Sequence, residues 1–322
     1  MSPSHGHGFG KAILFGEHFV VHSLPAIVAA LSHTGVVTVE RITGHHELID
    51  NCIRFPSVPK LTWDICHKPI ERILKYLEIT TPLKITLHGN LPIPHSGIGS
   101  SAAHMVGLSR ALNKEFQLNL SEEQINQTAY QGEKEIHGNP SGIDNTAATY
   151  GGLFWFKKIK PENMTQPITT PKPIDIVLVE TGKQTDTKTV IFAINKFITQ
   201  NPKKTKPIFE IYKNVVSQAH QALKAGDLQL LGTLMNKNQK LLQELTISCP
   251  ELDKVSSIAQ NEGALGAKLT GTGRGGLAIA LTPGKELQDK VSNALKKSGY
   301  AVLQTTIAQS PPPAPENFAA LP

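Results

Sequence analysis

Pro92-Ile93-Pro94-His95-Ser96-Gly97-Ile98-Gly99-Ser100-Ser101-Ala102-Ala103 joins an apolar strand-like run to a helix that begins on small residues. Glycines at 97 and 99 permit positive φ and close backbone approach, and prolines 92 and 94 stiffen the entry. A helix start offers unpaired N–H groups and the positive end of a dipole, which together attract phosphate. Ser100 and Ser101 can cap that helix or bind a cation. Taken alone, the stretch fits either an anion cradle or a plain capped helix.

Upstream, alternating and apolar runs predict strands over 10–15, 35–40, 52–55 and 83–87, and an amphipathic pattern predicts a helix over 63–77. Gly16-Glu17-His18 closes the first strand, and Phe19-Val20-Val21-His22 reads as its extension. Downstream, the helix over 100–116 gathers Ala102, Met105, Val106, Leu112 and Phe116 on one side. Ser121-Glu122-Glu123-Gln124 is a capping box for a second helix that runs to about Ile136. On that helix Glu133 shares a face with Ile125, Ala129 and Ile136, so it either meets a cation or donors there or reaches solvent at the edge. His137-Gly138-Asn139-Pro140 stops the helix, and Asp144 in the following loop either caps the next turn or faces a site.

The loop 157–173 separates a first domain, 1–170, from a second, 171–309. Strands over 153–156 and 174–179 flank it. Helices are expected over 188–198, 208–225, 227–245 and 250–262, with Asn201-Pro202-Lys203-Lys204-Thr205-Lys206 as a basic connecting loop. A strand at 267–270, a glycine loop, a strand at 277–281, a helix at 285–297 and a strand at 300–305 form the tail of a ferredoxin-like unit. The fold class is therefore α+β. Residues 310–322 are proline-rich and read as an extended or disordered tail.

Apolar residues make up 39% of the 322, enough for packed cores. The net charge of +6 suits an anionic ligand, yet Lys and Arg are dispersed, so neither nucleic acid nor a membrane surface is expected as a partner. No apolar run is long enough to span a bilayer, and no secretory leader is evident. Cys52, Cys66 and Cys249 show no metal-binding spacing and read as buried thiols of a cytoplasmic protein. His18 and His22 stand four apart without a third ligand in view.

Gly271-Thr272-Gly273-Arg274-Gly275-Gly276 formally fits a dinucleotide fingerprint, but it precedes a strand rather than a helix, which excludes that reading. Protein-kinase and Walker A motifs are absent too. The remaining features assemble a phosphoryl-transfer kit: a phosphate cradle, Ser100 or Ser101 with Glu133 for Mg2+, Asp144 as base and Lys11 as cation.

Four stretches carry a resemblance. They are Gly10-Lys11-Ala12-Ile13-Leu14-Phe15-Gly16-Glu17-His18, the 93–103 run, Gly132-Glu133-Lys134-Glu135-Ile136-His137-Gly138-Asn139-Pro140-Ser141-Gly142-Ile143-Asp144-Asn145, and Lys268-Leu269-Thr270-Gly271-Thr272-Gly273-Arg274-Gly275-Gly276. In this order the chain resembles the GHMP kinases, most closely the branch that phosphorylates mevalonate. The resemblance implies a two-domain fold with ATP and substrate in the cleft between the halves. It implies that Asp144 and Lys11 are catalytic and contact the substrate hydroxyl, that Glu17, His18, Ile136 and Thr187 lie near mevalonate, and that Glu133 with Ser100 or Ser101 holds Mg2+. ATP would lie along Pro94, His95, Ser96, Gly97, Ile98, Gly99, Ser100, Ser101 and Ala102, with Gly271 and Gly273 across from it. Ile98 replaces a leucine of the family pattern at equal volume. Arg274 replaces a glycine and is either an exposed loop residue or a cation for phosphate. Alternatives within the family are phosphomevalonate or homoserine kinase and mevalonate-diphosphate decarboxylase; outside catalysis, a silent ligand-binding protein. A homodimer is left open.

Overall fold

A computed structural model of the chain describes residues 3–55, 58–94, 97–138, 140–159 and 163–308. His95, Ser96, Asn139 and the 310–322 tail singled out above lie outside the described residues.

The first half opens with a long antiparallel pair, β1 (Ser4–Phe15) and β2 (Ala26–Arg41). Gly6 and Gly8 of β1 lie directly under a helix: a Cβ at Gly8 would sit 2.3 Å from the carbonyl oxygen of Ala103. The expected strand extension at Phe19–His22 is instead a single 3-10 turn. His18 and Ser23 flank it at φ 60° and 61°, and left-handed residues at both ends cannot continue a strand. There follow β3 (Glu47–Asp50), α1 (Trp63–Tyr76), β4 (Leu83–Gly89), α2 (Ser100–Phe116), α3 (Glu122–His137) and α4 (Ile143–Tyr150). The expected strand over 52–55 is replaced by β3 just before it, and Arg54 makes only an isolated bridge to Ile93. Likewise the expected loop around Asp144 is the first turn of α4.

The hairpin β5 (Leu153–Lys157) and β6 (Met164–Pro167) closes this half within the presumed linker. α1, α2 and α3 cover one sheet face, and Val37, Ile85, Leu108 and Ile125 lie in the core between. The Ser121 capping box forms as expected: its hydroxyl accepts from the Gln124 N–H, and the Gln124 side chain accepts from the Ser121 N–H.

The second half comprises β7 (Ile174–Glu180), α5 (Thr187–Gln200), α6 (Pro202–Ala225), α7 (Leu228–Glu244), α8 (Pro250–Asn261), β8 (Gly266–Thr270), β9 (Leu277–Leu281), α9 (Lys285–Lys297) and β10 (Ala301–Ile307). The basic run after Asn201 is thus the first turn of α6, with Pro202 at its opening position, where a missing N–H costs nothing. Strand order β10-β7-β9-β8, antiparallel throughout, is that of a ferredoxin-like sheet. It meets the first sheet at one pair, Ile307 with Leu31. One apolar core runs through both halves, from Phe15 and Phe19 to Tyr212, Leu242 and Ile279.

The three cysteines are free and half-buried rather than fully buried. Among the described residues no helix is long and apolar enough to cross a membrane.

Candidate functional site

The site forms where the C-terminal part of β1, the turn into α2, the start of α4 and the β8–β9 loop converge. Lys11 ties two of these together. Its N–H donates to the carbonyl of Ile98 at 2.8 Å, and its Nζ donates to the carbonyl of Gly97 at 3.0 Å. The same Nζ stands 3.3 Å from Oδ1 of Asp144. Lys11 is buried while the Asp144 side chain is one-third exposed, so the pair presents its acidic member to the cleft. Asp144 lies in the first turn of α4, where no side-chain capping bond forms at the N-cap Gly142.

Glycine is required in the cradle. Gly99 caps α2 at φ 66°, and a Cβ there would come within 2.9 Å of Cγ of Lys11. Across the cleft a Cβ at Gly271 would lie only 3.6 Å from Cα of Gly97, so glycine loops from the two halves face each other. Pro94, Ile98 and Ala102 are buried beneath the cradle, which leaves the backbone of residues 97–101 and the Ser100 and Ser101 hydroxyls as its open polar groups.

Glu133 lies on the inward face of α3 with Ile125 and Ala129, and is 1% exposed. Burial pushes its carboxyl up to about 8, and the nearby charge of Asp144 adds to this; the Ser101 hydroxyl and Lys11 oppose it. Neither carboxylate oxygen has a hydrogen-bond partner among the described residues, although His137 Nε2 stands 3.5 Å from Oε2. A buried carboxylate with so few donors, next to a hydroxyl, a second carboxylate and a phosphate cradle, suits a hard divalent cation. Among the described residues no cluster of three or more His, Cys, Asp or Glu forms a metal site by itself, so such an ion would take hydroxyl and phosphate oxygens as well.

The other predicted residues separate. Glu17 is 1% exposed and forms a buried ion pair with Lys268, so it lies beneath the cleft rather than on its surface. Burial raises the Glu17 carboxyl and lowers the Lys268 ammonium, and the pairing opposes both. His18 Nε2 lies 2.6 Å from the carbonyl of Thr272; a carbonyl only accepts, so that nitrogen carries the proton. Burial lowers the His18 pKa below the usual histidine range. Thr187 begins α5 and its Oγ1 lies 3.0 Å from Oγ1 of Thr272. Ile136, expected on the apolar face of α3, is 40% exposed at the edge. Gly273 packs against Ile247, where a Cβ would sit 2.5 Å from a carbonyl oxygen. Arg274 Nε donates to the Thr246 carbonyl at 3.0 Å and Nη2 to its Oγ1 at 3.2 Å, so its guanidinium braces the α7–α8 connection.

Sequence reasoning gave no individual role to Lys268, Thr270 or Thr272; the one available signal was a lysine inside an otherwise buried strand. It also gave no site role to the segment after β3. There Ile93 N–H donates to the Ile53 carbonyl at 2.8 Å and Phe55 N–H to the Ile93 carbonyl at 3.1 Å, so residues 53–55 run beside the entry to the cradle.

Comparison with known proteins bears on this geometry. Residues 65–152 match the GHMP kinases N terminal domain, and residues 219–301 match the GHMP kinases C terminal model. The chain is 31% identical over 323 residues to a mevalonate kinase of Pyrococcus furiosus, covering 93% of this chain and 94% of that one. It is 31% identical over 292 residues to a mevalonate kinase of Methanothermobacter thermautotrophicus, covering 91% and 94%. Its structure is similar to that of L. major mevalonate kinase in complex with R-mevalonate, at TM-score 0.88 and 36% identity over 95% of this chain and 96% of that one. A phosphomevalonate kinase of Streptococcus pneumoniae shares the fold at TM-score 0.74 but only 15% identity.

Proposed function

The chain belongs to the GHMP kinases, in their mevalonate kinase branch, and from that membership we propose that it transfers the γ-phosphoryl group of ATP to the 5-hydroxyl of mevalonate. The observation that carries the reading is the Lys11–Asp144 pair, set at the meeting of two glycine loops beside the buried Glu133 carboxylate. In this mechanism Asp144 orients the substrate hydroxyl and accepts its proton as the oxygen bonds to the γ-phosphorus and the bond to the ADP oxygen breaks. Lys11 fixes Asp144 and, through its bond to Gly97, the cradle itself. The backbone of residues 97–101 and the α2 N-terminus hold the phosphates. Glu133 and Ser101, the serine nearest it, would hold Mg2+, with Ser100 adjacent; bound there, the ion neutralises phosphate charge.

The two-domain division at 170, the role of Thr187 and His18 beside the substrate, and a cytoplasmic location belong to the same reading. Its test is purified protein with ATP and Mg2+, following ADP release with mevalonate, phosphomevalonate, homoserine or galactose as acceptor. Turnover confined to mevalonate is expected; turnover with another acceptor instead would move the chain to a different branch, and ATP binding without turnover would make it a ligand-binding protein.

A further inference from the structure

Lys268, Thr270 and Thr272, every second residue from the middle of β8 onward, make polar contacts with the end of β1 or the corner that follows it. Lys268 Nζ pairs with the Glu17 carboxylate, and both side chains are wholly covered. Thr270 Oγ1 bonds twice to Ile13, accepting from its N–H at 3.0 Å and donating to its carbonyl at 3.0 Å. The Thr272 carbonyl accepts from His18 Nε2 at 2.6 Å. The period of two along a strand sends the side chains of 268 and 270 to the same side, and the third contact is made by a backbone carbonyl in the loop beyond β8.

These contacts join segments 251 to 257 residues apart and cross from one half of the molecule to the other. On the near side the corner continues the strand that carries Lys11, two residues before Ile13. On the far side Thr270 leads directly into Gly271, whose loop faces Gly97. Besides these rungs, the two sheets are joined among the described residues where β2 meets β10, by the Leu31–Ile307 pair and by bonds of Ser32 and His33 to Thr305 and Thr306, about twenty residues along the chain from Lys11.

We infer that Lys268 and Thr270, with the Thr272 carbonyl, are positioning groups for phosphoryl transfer: a polar seam that holds the Lys11 strand and the two opposed glycine loops in reacting register. The inference rests on the kinase reading for its rate consequences. It assigns the seam no contact with substrate. Its physical basis is that a misplacement of about 1 Å between reacting groups costs about a hundredfold in rate, whereas a contact that only adds stability leaves the turnover of folded molecules unchanged.

The test compares Thr270→Val, which keeps shape and loses the hydroxyl, with Thr270→Ser, which keeps the hydroxyl. Lys268→Met removes the charge inside the same covered space. Steady-state kinetics are measured well below each variant's Tm, with kcat and KM separated. The seam predicts kcat lowered roughly ten- to a hundredfold in Thr270→Val and Lys268→Met, KM for both substrates within about threefold, and Thr270→Ser within about threefold of wild type in both constants. Lowered Tm with unchanged kcat in Thr270→Val would overturn the proposal and leave a structural contact. Should Lys268→Met fail to fold, the two Thr270 variants decide alone. Amide hydrogen exchange at residues 97–99 and 271–276 gives a reading independent of chemistry: exchange should quicken in Thr270→Val and stay slow in Thr270→Ser. If wild-type protein does not turn over, the kinase reading fails; the register-holding part of the proposal is then decided by exchange alone, and equal exchange in both variants overturns it.

Discussion

Asp144 and Lys11 form an ion pair whose carboxylate is one-third exposed and whose ammonium is buried, and in the proposed reaction the carboxylate is the proton acceptor. Asp144→Asn keeps the size and removes the proton acceptor, so kcat should fall by about three orders of magnitude while Tm stays within a few degrees; single-turnover ADP formation checks the first and thermal unfolding the second. Beneath the cradle, His104 Nδ1 stands 2.8 Å from the Ser100 carbonyl, which makes that nitrogen the donor and leaves Nε2 facing Cys52 Sγ at 3.4 Å. Burial lowers the His104 pKa from 6.5 to about 4. Between those values the unfolded chain takes up a proton that the folded protein refuses. Stability from this group is therefore full above pH 6.5 and is lost as pH falls toward 4, by at most about 3 kcal/mol. Unfolding curves from pH 7 to 4 should show that loss in wild type and a flatter slope in His104→Gln.

Local chemistry decides which elements can be foreseen. α3 was legible because Ser121 and Gln124 satisfy each other's backbone N–H groups without tertiary help. Ser121→Ala should cost about 1 kcal/mol, lower Tm by roughly 2–3 °C and leave kcat unchanged, since the capped end lies far from Glu133 along the helix; a calorimetric scan with a parallel rate assay checks both. The 3-10 turn at Phe19–His22 was not legible: its four residues favour strand by propensity, and what breaks the strand is the left-handed backbone at His18, held by its bond to a carbonyl 254 residues away. Pro202 was misread for a different reason. Proline both stops and starts helices, and only the position of the preceding helix end distinguishes the two. Within the site, spacing put Glu133 on the face of Ile125 and Ala129 but left open whether it reached solvent, as Ile136 on that same expected face does. Lys268 could not be placed, because a lysine in a five-residue strand reads as an edge residue until its partner Glu17 is brought to it by the fold.

At the scale of the whole molecule, the first and second halves of the chain differ in architecture but share one apolar core. Phe19, from the first half, stacks on Tyr212 of α6 with centroids 3.7 Å apart and planes 6° from parallel, and both rings are fully buried. The Tyr212 hydroxyl donates to the Pro25 carbonyl at 2.7 Å, so the second half also satisfies a backbone group of the first. Ile27 and Leu31 of β2 lie in the same apolar cluster as Val177 and Leu241. A fragment covering residues 171–308 would uncover that surface. It should bind apolar dyes and lack a cooperative transition, while the whole chain should unfold in one calorimetric step whose enthalpy equals the van't Hoff value. Phe19→Ala tests the same coupling at one position: a cavity beside Tyr212 should cost about 3–5 kcal/mol and shift the single transition down by roughly 6–15 °C without splitting it. Two resolved transitions, with only one moved by the substitution, would mean that the halves fold separately. In that case the cleft would be set by docking of independent domains rather than by a core they share.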